Sequence, residues 1–373
     1  MKQKIIAIVL ASVILLVLSA CAGPKVSNDI KPKKIGISMP TKSLQRWSMD
    51  VNPMAETFRD NGFEIDLQYA NNDVIEQIAH IENMITGGCD VLIIAACEDD
   101  SLTETLAMAN ERGIAVFAYA RLITNTDAVT YYVSFDNVQV GREQGLYIEK
   151  VFDLKNADGP FNIEIFTGDL GDINAAYFYA GAMEIMQPYI DEGKVVVLSG
   201  QTSQQQTATD SWSAHNAQDR MKNLISSVGY SPTGGVKLDA VLCSNDSTAQ
   251  GSIIALTSAG WDATTIPVIT GQDCDKINVA YLLQGLQAMS VFKNTNILDD
   301  QIFKMAVQYF NGETVEVNDV TNNGAKFVDT FFCELSICTK NNIQELLFDS
   351  NYYDWNDPEL AEANDAAYRA GII

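Results

Sequence analysis

Arg46 and Trp47 stand side by side, a few residues after a short apolar run, Ile35-Gly36-Ile37-Ser38-Met39, that Pro40 closes. Arginine presents a planar fork of donors and tryptophan a flat apolar face. Together they suit a ring that is polar at its edge and carbon on its face, as a sugar is. Other chemistry is thinly supplied. The two histidines, His80 and His215, fall into no Ser-His-Asp or Cys-His arrangement, and neither a GxSxG elbow nor a GxGxxG loop is present. Nothing selects two aspartates as a glycosidase pair. No catalytic residue is therefore expected, and the chain reads as a non-enzyme. It has no D-x-[DN]-x-[DN]-G loop and no CxxC spacing, so neither structural calcium, zinc nor another cofactor is expected.

The elements that must position the Arg-Trp pair alternate between strand and helix. The run 35–39 is too brief for a helix, and proline stops it, so it reads as a buried strand. A helical pattern over 49–61 ends at Gly62. Strands are predicted at 63–69, 91–96, 114–119 and 131–135, with helices at 74–86 and 102–112 and a further helix opening at Gly141. After Pro160 a second set follows: strands at 162–166, 194–198, 240–243, 267–270 and 288–292, and helices at 175–186, 213–227, 248–258, 277–284 and 297–310. Short glycine-bearing joints separate the elements. The pattern predicts an α/β protein of two doubly wound parallel-sheet lobes, with a small ligand held in the crevice between them.

The N-terminus is a separate matter. Lys2 and Lys4 precede the apolar run 5–18, and Leu18-Ser19-Ala20-Cys21 supplies small residues before a cysteine. Residues 1–20 read as a secretory leader, since the run is shorter than the ~20 residues a membrane span needs. Leu-Ser-Ala-Cys resembles the bacterial lipobox, which implies a lipidated Cys21 and, over 21–33, a polar tether with Pro24 and Pro32. The formal charge of −24 becomes −26 without the leader. Such a surface repels phosphate backbones, so no nucleic-acid partner is expected. Six further cysteines, Cys89, Cys97, Cys243, Cys274, Cys333 and Cys338, sit singly in apolar runs and read mostly as buried free thiols.

The stretches IGISMPTKSLQRW, DLQYANNDVIEQIAHIENMI, AVFAYARLI, YYVSFDNVQVG, GDLGDINAAYFYAG, LCSNDSTAQG, TGQDCD and MSVFKNT, in this order and spacing, resemble the periplasmic-type sugar-binding proteins of ABC transporters, in the branch that binds xylose and several other monosaccharides. The resemblance runs over roughly 34–353. It implies a type I periplasmic binding protein fold, a monomer whose two lobes are joined by a three-segment hinge. The crossings fall near Asn137, Phe292 and Phe327, giving lobes of 34–137 with 293–326 and of 138–292 with 327–373. It implies a monosaccharide ligand, an aldopentose or aldohexose such as xylose, glucose, galactose or arabinose. Its partners would be a permease with its ATPase, and it would stand outside the cytoplasm, anchored through Cys21. A lipoprotein presenting a sugar, furanose or nucleoside to a membrane receptor would use the same clamp.

Ligand roles carry over where motifs match. The resemblance implies that Arg46 donates to hydroxyls and Trp47 covers a ring face. Arg121 in AYARL donates to ring or hydroxyl oxygens, and Asp172 and Asn174 in GDLGDINAA hold a hydroxyl pair. Trp212 in DSWSAHNA is the second aromatic, and Asn245, Asp273 and Lys293 complete the set. A sugar hydroxyl both donates and accepts, so cations and carboxylates are both needed. The family usually shows Tyr-Asp-Arg where this chain has Tyr119-Ala120-Arg121. Either Glu98, Asp99 or Asp100, in the loop after the third strand, supplies the missing carboxylate, or the ligand lacks that hydroxyl or carries a substituent there.

Overall fold

The computed structural model describes residues 33–371. The leader, Cys21 and most of the tether lie outside these described residues. Within them two main sheets and a two-stranded β10–β13 ribbon form. The first runs β11-β12-β5-β4-β3-β1-β2, built from β1 (Lys34–Met39), β2 (Glu64–Tyr69), β3 (Val91–Ile94), β4 (Ala115–Tyr119), β5 (Val129–Phe135), β11 (Asp319–Asn322) and β12 (Phe327–Cys333). All its pairings are parallel except the β11–β12 hairpin. The second runs β7-β6-β8-β9, from β6 (Phe161–Phe166), β7 (Val195–Val196), β8 (Ala240–Cys243) and β9 (Val268–Ile269), all parallel. A parallel bridge between Gln272 and Val291 extends it to β10 (Ser290–Phe292), which pairs antiparallel with β13 (Ser336–Cys338). This is the type I periplasmic binding protein fold.

Burial explains the strand order. Ile35, Ile37, Val91 and Ile93 point to one face of the first sheet and pack against Val51, Met54 and Phe58, on the helix Gln45–Asp60. Leu92, Ile94, Val116 and Ala118 point to the other, against Ile81 and Met84 of the helix Val74–Thr86. Gly36 lets that helix approach, because a Cβ there would sit 2.7 Å from Met84 Sδ. Asp73 caps it by accepting from the amides of Ile75 and Glu76. In the second lobe the helices Asn137–Val151 and Ile173–Asp191 meet backbone to backbone. A Cβ on Gly141 would lie 1.9 Å from the Phe178 carbonyl oxygen, and one on Gly181 1.9 Å from that of Val138.

The chain leaves the first sheet after Phe135, entering a helix that packs on the second lobe, and returns after Phe292 into the helix Thr295–Asn311, which packs on Gln45–Asp60. The third crossing differs from the one expected near Phe327. Residues Phe327–Cys333 form β12, whose Asp329–Cys333 stretch pairs in register with Tyr131–Phe135 of the first sheet. The chain therefore crosses only after Cys333. The slot between β5 and β11 draws Val328 and Thr330 fully into the first lobe.

Candidate functional site

A cleft lies between the lobes, and all nine residues carried over by motif line it. The first lobe presents Arg46, Trp47 and Arg121. From the second come Asp172, Asn174, Trp212, Asn245 and Asp273, and Lys293 comes from the hinge just after β10. All but Trp212 sit at or just beyond the end of a strand, or in the first turn of the helix after it, as the topology of an open parallel sheet dictates. Trp212 ends a short turn, Asp210–Trp212, just before the helix Ala214–Leu224. Arg46 and Trp47 occupy the first turn of the helix Gln45–Asp60, whereas the periodicity had placed them in the loop before it.

The side chains are mutually engaged. Arg121 Nε lies 2.9 Å from Asp172 Oδ2, and its Nη1 donates to the carbonyls of Ala96 and Cys97 at 2.8 and 3.2 Å. Asp172 caps the helix Ile173–Asp191 by accepting from the Asn174 amide at 3.0 Å, and its Oδ2 also accepts from Trp212 Nε1 at 3.2 Å. It therefore serves as cap and as site residue at once. Asn174 donates to the Ala120 carbonyl across the cleft at 2.9 Å and accepts from Asn137 Nδ2 at 2.8 Å. Asn245 caps the helix Asp246–Ser258 through the Thr248 amide while still lining the cleft.

Asp273 Oδ1 is 2.8 Å from Lys293 Nζ and 3.5 Å from Arg46 Nη1, in the other lobe. Burial pushes the Asp273 carboxyl up, but Lys293 and Arg46 together outweigh it and hold the group below the usual carboxylate range. The tryptophans differ in setting. Trp47 is packed with the first-lobe core, with the guanidinium carbons of Arg46 and Arg121 at 4.7 and 5.3 Å from its ring centre. Its Nε1 is buried with no hydrogen-bond partner. Trp212 packs edge-on to Phe178, with ring centres 6.1 Å apart. A Cβ on Gly168 would fall 2.0 Å from the Trp212 ring, so the glycine is what lets the indole lie there.

Ala120 (φ +58°), Trp212 (+54°), Asp273 (+95°) and Cys274 (+54°) all hold left-handed backbone without being glycine. Such conformations cost on the order of 1 kcal/mol or more each. They turn three loops sharply into the cleft.

Five further lining residues, Leu44, Phe178, Ser247, Gln272 and Asp275, lie inside the stretches that carry the resemblance but take no role from it. Gln272 Oε1 is buried with no hydrogen-bond partner. Of the acids expected near Ala120, Glu98 lines an adjoining pocket together with Leu44, Arg121 and Trp212, Asp99 accepts from Thr124 Oγ1 at 2.8 Å, and Asp100 lines a separate surface pocket. Asp275, two residues after Asp273, enters the cavity from the opposite lobe. Its amide donates to Asp246 Oδ2 at 2.9 Å, and Asp246 Oδ1 accepts from Gln287 Nε2 and Ser290 Oγ at 2.8 and 2.9 Å. Asp246, fully buried, thus joins the site loop to the hinge strand β10, while Asn245 does the capping.

Burial pushes the thiols of Cys89 to about 11 and those of Cys97, Cys243 and Cys333 to about 12, far from a reactive thiolate. Among the described residues no group of three or more His, Cys, Asp and Glu could hold a metal ion.

Residues 35–314 match the family described as the periplasmic binding protein domain. The multiple sugar-binding periplasmic protein SbpA of Azospirillum brasilense is 41% identical over 343 residues, covering 91% of this chain and 94% of that protein. The D-xylose-binding periplasmic protein of Escherichia coli is 31% identical over 328 residues, covering 88% and 93%. An ABC transporter solute binding protein from Clostridium phytofermentans, solved with bound β-D-glucose, is 49% identical. It superposes with a TM-score of 0.84, over 88% of this chain and 100% of that one. The two-sheet fold, the interlobe cleft and the match over most of the chain agree: this protein belongs to the periplasmic binding protein family.

Proposed function

We propose that this chain captures one neutral monosaccharide in its pyranose form, closes both lobes around it and delivers it to an ABC-transporter permease outside the cytoplasm. The observation that carries the reading is the charge balance of the cavity. Arg46, Arg121 and Lys293 face Asp172, Asp273 and Asp275, so the formal charges cancel. A net-neutral cavity rich in charged donors and acceptors suits hydroxyls, which take charge-assisted bonds from both kinds of group. It disfavours a uronic acid or an amino sugar, which would bring in an unbalanced charge. Phe178, Trp47 and Trp212 supply apolar cover for ring carbons. The sugar-binding relatives support the class of ligand.

Closure follows from the division of the site. A ligand that touches both lobes shifts the open–closed equilibrium further toward the shut form, and the permease reads that form. Catalysis has no place in this scheme. The Leu18-Ser19-Ala20-Cys21 sequence supports anchoring of the chain at the membrane's outer face through a diacylglyceryl thioether on Cys21. Cys21→Ala should then move the protein from the membrane pellet to the soluble fraction.

Calorimetry with D-glucose, D-xylose, D-galactose, L-arabinose, D-glucuronate and D-glucosamine tests the reading. Saturable binding of one or more neutral pyranoses, and at least tenfold weaker binding of the two charged sugars, is expected. Tighter binding of a charged sugar, or silence toward all the neutral ones, would overturn it.

A further inference from the structure

The helix Lys276–Gln284 follows directly on the loop that carries Asp273 and Asp275 into the cavity. Its N-cap residue is Asp275, an aspartate in the position where aspartates usually accept from the first-turn amides. Asp275 makes no such bond, and its side chain lines the cavity instead. The amide of Lys276 donates to Gln45 Oε1, at 3.2 Å, and Gln45 belongs to the other lobe. The same Gln45 side chain donates through Nε2 to the hydroxyl of Tyr353, at 3.1 Å. That hydroxyl in turn donates to the Cys274 carbonyl, at 2.8 Å. Tyr353 and Cys274 are both buried, in one apolar cluster with Phe292 of the hinge.

We infer that Gln45 caps the helix Lys276–Gln284 from across the cleft and, with Tyr353, fixes the Asp273–Asp275 loop in its ligand-facing form. Gln45 does not line the cavity, so it is a positioning residue and not a ligand. Three features follow from one side chain. Asp275 is relieved of capping. The left-handed pair Asp273–Cys274 is pinned at the Cys274 carbonyl. Gln45 and its neighbour Arg46 reach the same loop at its two ends, at Lys276 and at Asp273. Because donor and acceptor come from different lobes, the cap exists only in the shut form; it holds a share of the unliganded protein shut and, once ligand is bound, prolongs the closed state without touching the ligand.

The claim about ligand dwell time rests on the sugar-capture reading, so the test has one arm without sugar. In the unliganded protein, amide exchange at Lys276 should be about tenfold faster in Gln45→Ala than in the unsubstituted protein, and faster to a smaller degree in Tyr353→Phe. In stopped-flow titration with D-glucose, Gln45→Ala should raise the dissociation rate about fivefold and leave the association rate within about twofold. The thermal midpoint of the unliganded variants should change little, which separates positioning from general destabilisation. Unchanged exchange at Lys276 overturns the cross-cleft cap whatever the sugar does. Faster exchange with an unchanged dissociation rate overturns its role in holding ligand. Faster exchange in a protein that binds no D-glucose upholds the cap and counts against the proposed function alone.

Discussion

Arg121 Nε and Asp172 Oδ2 stand 2.9 Å apart, both side chains buried, one from the loop after β4 and the other from the loop after β6 in the opposite lobe. The pair joins the two lobes through groups that are also suited to sugar hydroxyls. Breaking it by removing one partner leaves a buried charge uncompensated, which is costlier than losing the attraction alone. In Arg121→Ala, Asp172 keeps its bonds from the Asn174 amide and Trp212 Nε1 but loses its cation. D-Glucose affinity should fall by about two orders of magnitude, with a smaller loss of unfolding free energy, on the order of 1–3 kcal/mol. Calorimetry and urea unfolding check the two halves separately.

Trp212 should be essential for binding and dispensable for folding. Trp212→Ala is expected to weaken D-glucose binding at least tenfold while the far-ultraviolet circular dichroism stays unchanged. Gly168→Ala should reproduce much of this loss, because its methyl would meet the indole at 2.0 Å and displace it. A Gly168→Ala protein that binds as the unsubstituted one does would show that the indole position is not set there.

The Asp273 carboxyl gives a pH signature. Its folded value is depressed, so its contribution to stability is present above the ordinary aspartate value, about 3.9, and is lost as pH falls through the depressed one. Unfolding free energy and D-glucose affinity should therefore hold steady from neutral pH down to about 4 as far as this group is concerned. In Lys293→Met the upward push of burial is opposed by Arg46 alone. The loss should then begin at a higher pH, visible in parallel titrations of the two proteins.

Asp246 supports the site from below. Asp246→Ala would leave the Asp275 amide, Gln287 Nε2 and Ser290 Oγ without their acceptor. A loss of about 2–4 kcal/mol in urea unfolding is expected, with weaker D-glucose binding because the Gln272–Asp275 loop loses its anchor. Unaltered stability would mean that these donors find other acceptors.

Much of this was readable from residue pattern. The alternation of buried runs with capped helices located nearly every strand up to β10, because a proline or a capping residue marks many strand ends, as Pro40, Asp73 and Asp136 do. The nine residues carried over by motif order all line the cleft, whereas periodicity singled out none of them. Two kinds of feature were hidden. The first is long-range pairing. Nothing local in FVDTFFC says that it inserts beside Tyr131–Phe135, nearly two hundred positions earlier, so the third hinge crossing was placed too early. The second is backbone hand. Asp275 reaches the cavity because Asp273 and Cys274 are left-handed, and neither residue type announces that. Asp275 adds to the cleft a carboxylate that residue pattern did not single out.

Gly168 and Trp212 carry a consequence on the scale of lineages. A side chain at 168 is incompatible with an indole lying where Trp212 lies, so position 168 cannot change before position 212 does. A branch that gains a side chain at 168 must already have given up the tryptophan, and with it the taste for ligands that present a flat carbon face. That ordering makes diet, in this protein, a matter of history as well as of affinity.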